Sequence, residues 1–243
     1  MYKRQLIYEL KLHHYVLHLQ RSGTPYAFHA LGSSCAFNSE TYAAVRGVPL
    51  RNAGEDFYLL NKLAKVGPIL TARGFGVTLQ SRRSQRTPFG TGPAVSELLT
   101  AEHPADLPIF YDARCFNVLS TALNRFNQWI LKPELDPERD LHDCFDVLVA
   151  NDLTTLLTQW RYQRAIEHIQ RAAVAPQARQ KHADTWLDGF KLLKIIHLLR
   201  DRHYPNLTFQ ESAASQHQWP IELPSQSPTQ IRQAIYQHLG WWS

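Results

Sequence analysis

The chain has 243 residues, 44% of them hydrophobic, with six Trp, ten Tyr and eleven Phe, a composition that can fill a real core and excludes a disordered chain. No apolar run approaches the roughly 20 residues of a membrane helix, so a globular protein that does not span a bilayer is expected. The net charge of +5 favours polyanionic partners, whether nucleic acid, an anionic lipid surface or phosphorylated small molecules, without choosing among them.

The opening residues MYKRQ run straight into a helical pattern and resemble the translated end of a transposon adapter used in sequencing libraries. They are set aside as a scar over residues 1–5, and the natural protein is expected to begin upstream. Leu6, Leu10, His13 or His14, and Leu17 then recur at three- and four-residue spacing, which predicts an amphipathic helix over 6–21, closed by Ser22 and Gly23. TPYAFHALGSSCAFNS reads as extended chain, and Ser39 as the N-cap of a short helix, ETYAAVRG, that ends at Gly47. Residues 55–66 form the next helix, stopped by Gly67 and Pro68, and ILTARGFGVTLQS alternates as a strand or hairpin would.

From about residue 112 the pattern turns helical, over 112–131, 138–160, 161–175 and 177–203, with Pro133, Pro137 and Pro176 as breakers. Residues 205–228, rich in Pro, Ser and Gln, read as a loop before a last helix at 229–239. The expected organisation is an α/β part over 6–96, a linker over 97–111 containing Pro104 and Pro108, and a mainly α-helical region over 112–243. Helix should dominate overall.

Three cysteines, Cys35, Cys115 and Cys144, stand far apart with no CxxC pair, which suits a reducing compartment and argues against a disulfide framework or a zinc knuckle. A cytoplasmic location is expected. Cys115 and Cys144 lie in apolar helical context and read as inert buried thiols.

Three constellations could carry chemistry. In NAGEDFYLLNKLAKVG, Glu55 and Asp56 fall in the first turn of the 55–66 helix, where the helix dipole stabilises a carboxylate by about 0.3–1 kcal/mol. Asp56 shares its face with Leu59, Leu60 and Leu63, so its side chain should follow the inward stripe, which suits a general base as well as a cap. In SRRSQRTPFGTG, Arg82 and Arg86 precede Gly90 and Gly92; guanidinium forks match phosphate oxygens, although a solvated basic turn would look the same. In HHYVLH, His14 and His18 stand one turn apart without an HExxH glutamate, which favours helix histidines over a metal site.

Taken together, GTPYAFHALGSSCAFNSETYAAVRGVPLRNAGEDFYLLNKLAKVG followed by SRRSQRTPFGTG, about residues 22–95, resembles the carboxyl half of the catalytic domain of family 2 glycosyltransferases. The resemblance implies an incomplete GT-A half-domain with a few strands, in an enzyme that transfers a sugar, with inversion, from a nucleotide-diphosphate donor to an acceptor hydroxyl. It implies Asp56 as general base and Glu55 as its neighbour shaping the acceptor site. Arg82 and Arg86 would lie near the donor diphosphate, and His29 and Ser33 would contact substrate. The acceptor would be a glycan, a lipid-linked molecule or another hydroxyl compound; peripheral contact at the inner face of the membrane is compatible with this, and a nucleic-acid partner is not expected.

Enzymes of this family hold a divalent cation, Mg or Mn, through an Asp-x-Asp motif in the donor-binding half. This sequence contains no Asp-x-Asp, and its nearest substitute, Asp136-Pro137-Glu138, comes after the acceptor half. The expectation is a fragment that holds no metal and does not turn over alone, its donor half lying in the full-length parent. The rival reading is a basic helical module for nucleic acid or protein partners, in which QWRYQRAIEHIQR, residues 159–171, offers Arg161, Arg164 and Arg171 beside Trp160 and Tyr162.

Overall fold

A computed structural model describes residues 2–72 and 91–241. Among the described residues the chain forms twelve α-helices and three short 3-10 turns. Helix therefore dominates, as expected. No strand occurs among the described residues; the β-type pairing there is an isolated antiparallel bridge between Phe110 and Leu207. Most of the strand expected over 69–81 falls outside the described residues.

The chain divides into two compact units. The first comprises Met1–Gln20, Pro25–Ala113 and Asn206–Ser243, and the second Arg21–Thr24 and Arg114–Pro205. The second unit starts close to the linker expected at 97–111, whereas residues 206–243, read with the helical region, cluster with the first unit.

In the first unit, α1 (Tyr2–Arg21), α2 (Ser39–Ala44), α3 (Glu55–Leu63) and α4 (Thr91–Thr100) come from the amino-terminal side. The core gathers one stripe of α1, Leu6, Ile7, Leu10 and Leu17, against residues far away in sequence: Phe110, Phe209, Trp219, Ile231 and Ile235. That stripe has the i, i+4 spacing that places side chains on one helix face. The Phe110–Leu207 bridge joins the two distant segments, with N–H to carbonyl distances of 3.0 and 2.7 Å. Helix α4 reaches into the stretch read as linker and buries Leu98.

In the second unit, α5 (Ala113–Leu131) buries Phe116, Leu119, Phe126, Trp129 and Ile130 along one face. It is followed by α6 (Pro137–Cys144), α7 (Val147–Gln159), α8 (Tyr162–Ala172), α9 (Pro176–Trp186) and α10 (Gly189–Arg202). Two helices predicted as single runs are each split in the structure. Asp146 caps α7 by accepting from the Leu148 and Val149 amides, and Asp188 caps α10 by accepting from Lys191. Each aspartate restarts a helix by satisfying its open N–H groups. Phe126 stacks on Trp186 with ring centroids 4.8 Å apart, closing this core.

The stretch read as a Pro, Ser and Gln-rich loop, 205–228, contains α11 (Phe209–Ala214), and α12 (Pro228–Leu239) follows it. Helix α11 starts with a capping box in which Thr208 and Glu211 satisfy each other's backbone N–H groups.

Candidate functional site

Gly54 opens α3 with φ +72, a left-handed conformation that glycine adopts without steric cost, and this turns the chain so that Glu55 and Asp56 enter the first turn. Leu59, Leu60 and Leu63 are buried, while Asp56 and Glu55 are half-buried at the rim. The inward stripe expected for Asp56 is thus present, and the carboxylate sits at its solvent end.

The Asp56 oxygens have named partners. Oδ2 accepts from the Gly32 amide at 3.1 Å, and Oδ1 from the Phe57 amide at 2.7 Å. Gly32 begins the 3-10 turn Gly32–Ser34, which packs on α3. A Cβ at Gly32 would lie 3.0 Å from the Asp56 Cβ, so the close approach uses the missing side chain. Cys35, just beyond the turn, donates its thiol to the Leu31 carbonyl at 3.1 Å; burial, and then the Asp56 charge, push that thiol up from its ordinary value. A carboxylate has about four acceptor positions, so two backbone bonds leave room for a substrate hydroxyl.

His29, three residues before Gly32, belongs to a second polar cluster in the same unit. Its Nε2 is 3.1 Å from His13 Nδ1. His13 Nε2 lies 3.7 Å from Glu9 Oε1, and Glu9 also accepts from the Tyr236 hydroxyl and faces Arg232 at 3.8 Å. Trp241 packs on His13 and His29, with ring centroids 5.2 and 5.8 Å apart. Burial, then the neighbouring His13, lower His29 to about 3, which keeps its ring neutral. Glu9 lies below the usual carboxylate range: burial pushes it up, but the bonds from His13 and Tyr236 and the charges of His13 and Arg232 outweigh burial. A pocket of about 400 Å³ opens beside His29 and Trp241.

The structure thus places Asp56, Glu55 and His29 in one unit, with His29 at most about 10 Å of chain from Gly32. Ser33 lies in the 3-10 turn beside Asp56's partner Gly32, and its side chain falls outside the description. Arg82 and Arg86 lie outside the described residues. Asp136, the head of the Asp136-Pro137-Glu138 run, is the N-cap of α6, where its carboxylate accepts from the Glu138 and Arg139 amides.

His14 and His18 each place Nε2 on the Gln218 carbonyl, at 2.8 and 3.0 Å, so both rings serve to hold the chain before Trp219. Among the described residues no group of three or more His, Cys, Asp or Glu side chains is arranged to hold a metal ion. Cys115 is buried, but Cys144, expected to be a buried thiol, is exposed at the end of α6 because the helix stops there. In the basic segment, Tyr162, Ile166 and Ile169 are buried and Arg171 pairs with Glu167 at 3.3 Å. No helix among the described residues is long and apolar enough to cross a membrane.

Glu9, Tyr236 and Trp241 were not picked out in the sequence, and His13 only as a position on the α1 stripe. Glu9 and His13 are one helical turn apart, a pattern that would have paired them; Tyr236 and Trp241 give no local signal, because their partners lie more than 200 residues away. Comparison with protein-family models, curated proteins and solved structures found no match to this chain.

Proposed function

We propose that this chain carries the acceptor side of an inverting glycosyltransferase, with Asp56 as the general base. The observation that supports this most is the setting of the Asp56 carboxylate, half-buried at the start of α3 and fixed against the Gly32 amide. In the proposed reaction Asp56 takes the proton of the acceptor hydroxyl as that oxygen bonds to the donor's anomeric carbon. The bond from that carbon to the diphosphate breaks, and the diphosphate leaves with its electron pair. Glu55, beside it in the same turn, lines the approach of the acceptor. The resemblance of residues 22–95 to family 2 glycosyltransferases supplies the class; Arg82 and Arg86 are proposed for the diphosphate on the same ground. The sequence holds no Asp-x-Asp, so the donor's divalent cation is not assigned to residues of this chain.

The test is sugar transfer from UDP- and GDP-sugars by the protein expressed from its complete reading frame. Asp56→Asn keeps a carbonyl oxygen to accept the Gly32 amide and removes the base, so activity should fall by roughly 10²–10⁴ with the melting temperature nearly unchanged. Retained transfer, or loss of activity that tracks loss of folding, would return Asp56 to a purely structural role.

A further inference from the structure

The pocket beside His29 has a lining whose chemistry is specific. Its polar groups are the Gln20 amide, the His29 ring and the Thr71 hydroxyl, and Trp241, Leu239 and Ile69 provide apolar surface. Among the described residues, no Asp, Glu, Lys or Arg lines it. Amide, imidazole and hydroxyl groups beside an indole suit a ligand that carries both hydroxyl groups and an apolar face.

In the same unit, the Glu9 cluster positions the His29 ring. Glu9 Oε1 lies 3.7 Å from His13 Nε2 and helps to hold that ring in place. His13 Nδ1 and His29 Nε2, 3.1 Å apart, share one hydrogen bond. The other His29 nitrogen, Nδ1, can then pair with a ligand hydroxyl, which both donates and accepts. Trp241 packs on both rings.

We propose that this pocket binds a neutral pyranose ring, with its apolar face on Trp241 and its hydroxyls shared among His29, Gln20 and Thr71. The volume of about 400 Å³ accommodates one or two such rings. The proposal rests on the Asp56 reading for one point, that this sugar is part of the acceptor; binding itself does not depend on that reading. Glu9 and His13 are positioning residues for His29.

The test is titration of the 243-residue chain, labelled with ¹⁵N, with methyl β-D-glucopyranoside, methyl β-D-galactopyranoside and N-acetylglucosamine, following the indole N–H signals. At least one should bind saturably with millimolar affinity and shift the Trp241 signal. Trp241→Ala should weaken binding about tenfold or more. Thr71→Val, at an exposed position that leaves the core intact, should weaken it several-fold. Absence of binding by all three at about 100 mM would overturn the proposal. So would equal affinity in Trp241→Ala, or adenosine binding at this site in place of the pyranosides. Binding that stands while Asp56→Asn retains transfer keeps the sugar pocket and removes its acceptor role. Transfer lost in Asp56→Asn with no pyranoside binding overturns the pocket and leaves the base reading in place.

Discussion

The Gly32 amide donates to Asp56 Oδ2 at 3.1 Å across 24 residues of sequence, so a single carboxylate fixes the 3-10 turn to the start of α3. A methyl group at position 32 would meet the Asp56 Cβ at 3.0 Å and its Oδ2 at 3.3 Å. Gly32→Ala should therefore cost about 1 kcal/mol in urea unfolding, and Asp56→Ala a similar amount at this half-exposed site. The double variant should cost less than the sum, because each change alone breaks the same contact. Strict additivity would mean that the two residues do not support each other.

Asp140 is buried between Arg125 and Trp129, accepting from Arg125 Nε at 2.6 Å and from the Trp129 indole at 2.7 Å. Asp140→Ala leaves the buried Trp129 indole N–H without its acceptor, while the part-exposed Arg125 can turn to solvent, and should cost about 1–2 kcal/mol. Burial raises this carboxyl, but the bonds from Arg125 and Trp129 outweigh it and hold it below the usual range. Its contribution is thus present above an ordinary aspartate pKa of about 4 and is lost as pH falls through the lower native value. Melting temperatures of the wild type and Asp140→Asn, measured against pH, should converge below about pH 4.

His14 and His29 add an acid sensitivity that starts at higher pH. Burial, then the charge of His18, lowers His14 well below its ordinary value, and burial, then His13, takes His29 to about 3. The unfolded chain therefore binds more protons than the native one as pH drops below about 6.5, and stability falls by about 1.4 kcal/mol per pH unit for each histidine. For His29 the decline should end near pH 3. Unfolding free energies between about pH 6 and 4 should show a shallower slope in His29→Gln, by one histidine's share.

Ile235 is fully buried in the first unit, on α12, in the same core as Leu6 and Leu10 of α1. Ile235→Ala should cost about 2–4 kcal/mol. Hydrogen exchange should speed up at α1 amides such as Leu10 and Leu17, while α10 amides such as Leu192 and Leu199, in the other unit, keep their protection. Equal loss of protection in both helices would show that the chain opens as one cooperative body.

The helices that were legible carry strong apolar periodicity. Leu6, Leu10 and Leu17 announce α1, and the leucines after Asp56 announce α3, because a core-facing stripe is a local pattern. The breaks at Asp146 and Asp188 were hidden because apolar spacing runs across them, and the capping aspartates act through bonds two or three residues away. Helix α11 did have a local signature, Thr208-x-x-Glu211, masked by the Pro, Ser and Gln content around it. At the candidate site the Glu55-Asp56 pair could be read from its place in the helix. Its partner Gly32 could be named only as one small residue among several, and the pairing of His13 with His29, set by tertiary packing, could not be read at all.

The division of the first unit between Met1–Gln20, Pro25–Ala113 and Asn206–Ser243 bears on how the protein is made. Ribosomes add about 5–20 residues per second from the amino end, so α5 to α10 emerge and can close their own core while α1 still lacks Ile231 and Ile235. For about 10–40 seconds the apolar face of α1 is uncovered on a growing chain, a substrate for holdase chaperones. A stop codon before Ile231 would leave that face permanently uncovered.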